Sequence, residues 1–281
     1  PRNRTPKSAP STADTEWAER SSPPVTDGAW LQVARGPLDV FDLLDSVATL
    51  LRKETPMPQP TIAPAGVIGV LVPWGNTTAP AEISRLTPPG VVDAVGRFDF
   101  GPGIDLEAEL RHVATKLTYA EPAAMLLSLS PEMFENGLAR ARRYQAVIAD
   151  ASGLPTYTTT DGLFSELRRL GVSSMGLIGP APHEQRQHAV VNFETEGVVV
   201  VEAYGMDCGL ANIKATPLDE IAAAFRAVDR PAVEAFVQTG TGLPAFAVAE
   251  QLEAELGRPV ITPNAAGYRQ ALGALGLDPS V

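Results

Sequence analysis

The chain has 281 residues, 44% of them hydrophobic, enough to bury a sizeable core. Its net charge of -11 and pI of about 4.8 speak against nucleic acid or an anionic membrane surface as a partner, because phosphate would repel it. One cysteine, Cys208, excludes an internal disulfide, and three histidines, His112, His183 and His188, form no metal-ligand pattern.

Residues 1 to about 28 are rich in Ser, Pro, Thr and charge and cannot bury enough apolar surface to order themselves. Trp17 and Trp30 stand out as residues able to dock on the body or on a partner subunit. There is no apolar h-region and no run of 18 or more apolar residues, so a cytoplasmic protein with no membrane span is expected. Over 36–53, Phe41, Leu44, Val47, Leu50 and Leu51 recur at helical spacing. Pro56, Pro58 and Pro60 follow as a stiff linker. Residues 1–62 therefore read as an extension in front of the main body.

From Ala63 onward strands and helices alternate. Strands are expected at 66–72, 91–99, 122–129, 155–159, 174–179, 198–204, 232–238 and 258–262. Helices are expected at 79–87, 104–117, 132–149, 162–171, 183–196, 216–228, 244–257 and 264–275. Short apolar strands between amphipathic helices imply parallel sheets covered on both faces. A weak repeat relates GVIGVLVP (66–73) to SMGLIGP (174–180), and PAAMLLSLSPEMF (122–134) to AVEAFVQTGTGLPAF (232–246). The expected fold is α/β, with two similar Rossmann-like lobes and a ligand cleft between them at the C-terminal strand ends. The first lobe takes 63–160 plus 262–281, and the second takes 161–261.

Four strand-to-helix turns could carry chemistry. In Pro73–Thr78, Asn76 and Thr77 offer donors beside free helix N–H groups, suited to a carboxylate; capping by Thr77 or Thr78 is the structural alternative. In Ser128–Glu132, Ser130 suits an N-cap and Pro131 the first helical position, with Glu132 in the first turn; neither role excludes ligand contact by Ser128 or Ser130. In Gly179–Glu184, His183 and Glu184 would lie at the cleft mouth, where an imidazole can move a proton, or face solvent. In Gln238–Leu243, the glycines allow close backbone approach, and Thr239, Gly240, Thr241 and Gly242 form an anion cradle or a plain turn.

These turns carry a family resemblance over roughly 63–275. VPWGNTT resembles the maleate isomerase VPxxNTT element. PTYTTTDGLFSELRRLGV is similar to the segment that precedes the second lobe, and ITPNAAGYRQALGALGL resembles the C-terminal strand and helix. The chain is identified as a member of the aspartate/glutamate racemase superfamily, on its maleate isomerase and arylmalonate decarboxylase branch. The resemblance implies a cofactor-independent enzyme, often oligomeric, so a homo-oligomer is expected. It also implies two cysteines, one donated by each lobe. Their places hold Leu129 and Gly240, and a substrate-facing tyrosine is replaced by Ala181. Cys208 matches neither thiol place.

Two functions follow. One is an enzyme acting on a small carboxylate or carbonyl compound by non-cysteine decarboxylation, isomerisation or hydrolysis. His183 and Glu132 would move protons, while Asn76, Thr77, Ser128, Ser130 and the 239–242 turn bind substrate. The other is a catalytically silent small-acid-binding or assembly protein on the same scaffold.

Overall fold

The computed structural model describes residues 62–209 and 211–277. The expected helix over 36–53, the proline linker, Trp17 and Trp30 lie outside the described residues. The architecture below belongs to the unit that begins at Pro58.

The first half of this unit runs β1 (Gly66–Pro73), α1 (Thr78–Leu86), β2 (Val91–Phe98), α2 (Leu106–Leu117), β3 (Ala124–Leu127), α3 (Gly137–Ser152), β4 (Thr156–Thr158) and α4 (Thr159–Leu170). The second half runs β5 (Ser174–Gly179), α5 (His183–Thr195), β6 (Val199–Gly205), α6 (Leu218–Ala227), β7 (Ala235–Gln238), α7 (Phe246–Leu256), β8 (Val260–Ile261) and α8 (Pro263–Leu272). Each expected strand and helix from residue 66 onward is present. The two sheets have orders β2-β1-β3-β4 and β6-β5-β7-β8, and every strand pairing is parallel. The sequence repeat is thus a repeat of topology. The apolar runs of β3 and β7 are buried throughout, whereas the edge strands β2 and β6 are only partly covered.

Each sheet has a hydrophobic cluster on either face. Ile68, Val70 and Leu126 meet Tyr268, Ala271 and Leu272, so α8 returns to the first sheet after leaving the second. Leu163, Phe164 and Leu167 of α4 pack instead with Met175, Leu177 and Val237 of the second sheet. These helices cross in close contact: a Cβ on Gly162 would collide with backbone atoms of Ala266 and Gly267. Among the described residues no helix is long and apolar enough to cross a membrane.

Two helix starts differ from expectation by three residues or more. The helix expected from 132 begins at Gly137. Pro131–Met133 form one 3₁₀ turn, Phe134 is extended, and Asn136 is left-handed at φ 55°. Contacts from α5 hold this interruption, because the Asn192 amide donates to the Glu132 and Phe134 carbonyls at 2.9 and 3.0 Å. Conversely, α4 starts at Thr159 rather than 162, since Thr158 caps it by accepting the Asp161 N–H at 3.0 Å.

The α4–α8 crossing makes a simple test. Gly162→Ala should destabilise the fold by about 1–3 kcal/mol through overpacking. Urea titration would show a lower midpoint at unchanged slope. An unchanged midpoint would mean the helices separate freely enough to admit a methyl group.

Candidate active site

The C-terminal strand ends of both sheets face one another, and their turns bond directly across the gap. Asn76 caps α1, its Oδ1 accepting the Thr78 and Ala79 N–H groups, each at 3.0 Å. Capping by Thr77 or Thr78 is therefore overturned: Thr77 is exposed and Thr78 is otherwise engaged. With its oxygen committed to the helix, Asn76 aims Nδ2 at Thr241 Oγ1, 3.1 Å away. Thr78 Oγ1 donates to the Gly242 carbonyl at 2.8 Å. Arg97 pins the turn by donating to the Trp74 and Asn76 carbonyls at 2.9 Å.

The second and fourth turns meet in the same way. Ser130 does not cap a helix; its Oγ accepts the Gly240 N–H at 3.0 Å. Ser128 Oγ donates to Asn264 Oδ1 at 2.9 Å, and Thr241 Oγ1 lies 3.5 Å from the Ser128 carbonyl. Gln238 Nε2 donates to the Gly240 carbonyl at 2.7 Å, and Thr239 Oγ1 to the Ile178 carbonyl at 3.3 Å. Of the expected binding residues, Asn76, Ser128, Ser130, Gly240, Thr241 and Gly242 are brought into one cross-lobe seam, while Thr77 faces solvent. His183 is the first residue of α5, and Glu184 beside it is exposed.

Glu132 is not the surface first-turn acid that the capping pattern implies. It is fully buried, because the 3₁₀ turn folds it inward beneath α4. Thr160 Oγ1 donates to its Oε2 at 2.5 Å, and its Oε1 has no hydrogen-bond partner among the described residues. Burial pushes this carboxyl up to about 7, opposed by the Thr160 and Ser130 hydroxyls. Sequence reasoning missed a second such acid. Glu82, on the buried face of α1 beside Ala79 and Ile83, accepts the Phe246 N–H at 3.1 Å and Asn264 Nδ2 at 2.8 Å. Burial likewise raises it to about 7. Its only sequence signal is an acidic side chain on an apolar helical stripe.

A cavity of about 10 Å³, room for about one water, lies under the third turn, between α5 and the ends of β5 and β6, and is lined by Met133, Gly179, Ala181, Arg186, Gly205 and Thr239. A hollow of about 460 Å³ lies elsewhere, along the outer edge of the first sheet beside Pro80, Thr87 and Asp93. Asp93 there is held by Tyr268 and Thr87 at 2.8 and 2.5 Å, a satisfied structural cluster with none of the turn residues in its lining. Among the described residues no three His, Cys, Asp or Glu gather as a metal site.

The family profile described as arylmalonate decarboxylase matches residues 105–281. This chain belongs to the arylmalonate decarboxylase family. It is 25% identical over 221 residues to the arylmalonate decarboxylase of Bordetella bronchiseptica, covering 74% of this chain and 90% of that protein. Among solved structures it shares its fold with the Nocardia farcinica maleate cis-trans isomerase, in a mutant with a covalently bound succinylcysteine intermediate (TM-score 0.67, 21% identity, 75% of this chain and 93% of that one). It also shares it with the maleate isomerase Iso of Pseudomonas putida S16 (TM-score 0.64, 20% identity, 75% and 93%).

Within the arylmalonate decarboxylase family, this member has closed the two positions where the resemblance places thiols. Leu129 is buried in the hydrophobic cluster with Phe98, Leu110 and Val147. Gly240 has φ +91°, and a Cβ there would lie 2.6 and 2.7 Å from the Pro180 ring carbons. Cys208 is half-buried against the second-lobe core.

Gly240→Cys should therefore destabilise the protein by about 2 kcal/mol or more, through backbone strain and overlap with Pro180. Thermal unfolding would show it, and an unperturbed melting temperature would refute the steric account. The two buried acids also predict a pH response. Both have folded values of about 7 against an ordinary 4.5. Their stabilising contribution is complete below pH 4.5 and is lost as pH rises through about 7. Glu132→Gln, fixed neutral, should be more stable than the parent by roughly 3 kcal/mol near pH 8 and about equal near pH 4.5. Urea titrations at both pH values check this.

Proposed function

We propose that this protein is a cofactor-independent enzyme acting on a small carboxylate or related carbonyl compound without thiol chemistry, and that Glu132 is its proton donor. The supporting observation is the carboxyl itself. It is fully buried, raised to about 7, with one oxygen hydrogen-bonded to Thr160 and the other without a partner among the described residues. A carboxylic acid kept neutral near physiological pH is a competent general acid.

Decarboxylation of a malonate-type acid asks least of such a site. The carbon–carboxylate bond breaks and its electron pair passes into the remaining carboxylate, giving an enediolate as carbon dioxide leaves. Glu132 then gives its proton to the α-carbon and is reprotonated from solvent. The Ser130 hydroxyl, the Gly240 N–H, and the Thr239 and Thr241 hydroxyls are the donors that would face the enediolate oxygens once the turns part. Asn76 Nδ2 would hold the carboxylate. We assign His183, at the start of α5, as the second proton carrier.

A second reading has one observation in its favour. The turns satisfy each other across the seam, Gly240 N–H on Ser130 and Asn76 on Thr241, as a silent small-acid-binding or assembly protein would tolerate.

Incubation with arylmalonates, alkylmalonates, maleate and cyclic amides, followed by NMR, separates the two. The enzyme reading expects turnover that falls about 10²-fold or more in Glu132→Gln. The rate should decline as pH rises through about 7, where Glu132 loses its proton. His183→Ala should also be slower. Complete absence of turnover, together with ligand-dependent thermal stabilisation, would establish the silent reading instead.

A further inference from the structure

Asn264 lies at the start of α8, fully buried, and engages both amide N–H groups and its amide oxygen, with partners on both lobes. Its Nδ2 donates to Glu82 Oε2 at 2.8 Å and to the Thr241 carbonyl at 3.0 Å, while its Oδ1 accepts from Ser128 Oγ at 2.9 Å. An amide offers two N–H donors on one side and an acceptor on the other. Turning it over would set its oxygen against the Thr241 carbonyl and, where Glu82 is ionised, against a second acceptor, so the two dictate its orientation. Glu82 reaches further. Its other oxygen accepts the N–H of Phe246, the first residue of α7, which follows the 239–242 turn. One acid on α1 thereby holds both the helix behind the fourth turn and the amide that grips the second and fourth turns together. The remaining ties between these turns run from Gly240 to Ser130 and from Thr241 to the Ser128 carbonyl, a neutral bond and a long contact.

We propose that Asn264, oriented by Glu82, is the positioning residue that sets the spacing between the Ser128–Ser130 turn and the Thr239–Gly242 turn. This rests on the reading of those turns as the two walls of the substrate site. Neither residue touches the reacting atoms; each acts through Ser128, Thr241 and Gly240. Loss of the link should loosen the cross-lobe contacts while the sheets stay intact.

Hydrogen–deuterium exchange on the full chain tests this without needing a substrate. The readouts are the Gly240 and Phe246 amides, which donate across the seam, against the amides of β1 and β7. Glu82→Gln places a donor where Asn264 or Phe246 needs an acceptor, and should speed exchange at both amides about tenfold or more, with β1 and β7 unchanged. Ser128→Ala removes one hydroxyl, a smaller insult to the fold, and should speed Gly240 about threefold or more. Because both changes act through Asn264, the double variant should exchange no faster at Gly240 than Glu82→Gln alone. Unchanged Gly240 exchange in both single variants would overturn the proposal. So would strictly additive effects, or equal acceleration throughout both sheets, which marks general destabilisation. Glu132→Gln, read near pH 4.5 where it matches the parent in stability, should leave Phe246 exchange as it is. Loss of the Glu132 chemistry and loss of the positioning link therefore give different results.

Discussion

Backbone N–H and C=O groups at the C-terminal end of a parallel sheet run out of ladder partners, and each must find another or bear the cost of burial. Here they and the adjacent side chains find each other. Gly240 N–H meets Ser130, the Gly242 carbonyl meets Thr78, the Thr241 carbonyl meets Asn264, and the Phe246 N–H meets Glu82. Three of these bonds join the two halves of the topology repeat, and the fourth, from Asn264 to Thr241, ties the second half to α8 where that helix returns to the first sheet. The seam fixes how close the lobes stand, which residues are dehydrated, and therefore which groups have altered chemistry.

Dehydration explains the two acids. A carboxylate loses far more than a neutral carboxyl on leaving water, so Glu82 and Glu132 both shift toward neutrality. They differ in what compensates. Both oxygens of Glu82 accept a hydrogen bond from the seam, which suits a structural tie. Glu132 receives Thr160 on one oxygen and leaves the other unmatched. A buried unmatched oxygen costs stability, and such costs concentrate where a group is kept for chemistry. That contrast is why the proton-donor role is proposed for Glu132 and the positioning role for Glu82.

The same packing accounts for the departure from the family's thiol pattern. Leu129 serves the core beneath α2 and α3, and Gly240 is needed because its backbone is left-handed against the Pro180 ring. Restoring a thiol at 240 would require moving the third turn. The fold of the arylmalonate decarboxylase family is retained around these two positions.

Much of this was legible in the chain itself. Apolar runs such as those of β1, β3 and β7, set between amphipathic helices, dictate parallel sheets, because only helix-covered strands bury both faces. The repeat of 66–134 in 174–246 dictated two lobes of one topology, and the VPWGNTT and QTGTGL turns marked where the lobes meet. Local pattern misplaced Glu132, since Ser-Pro-Glu is a sound helix start by propensity. The Asn192 contacts from 60 residues away override it. Asn264 and Glu82, 182 residues apart, gave no joint signal at all. Sequence periodicity reports which face of an element is apolar. Which polar atom on that face meets which partner is decided only when distant elements close on each other, and there the tertiary structure alone chose Glu82 and the partners of both acids.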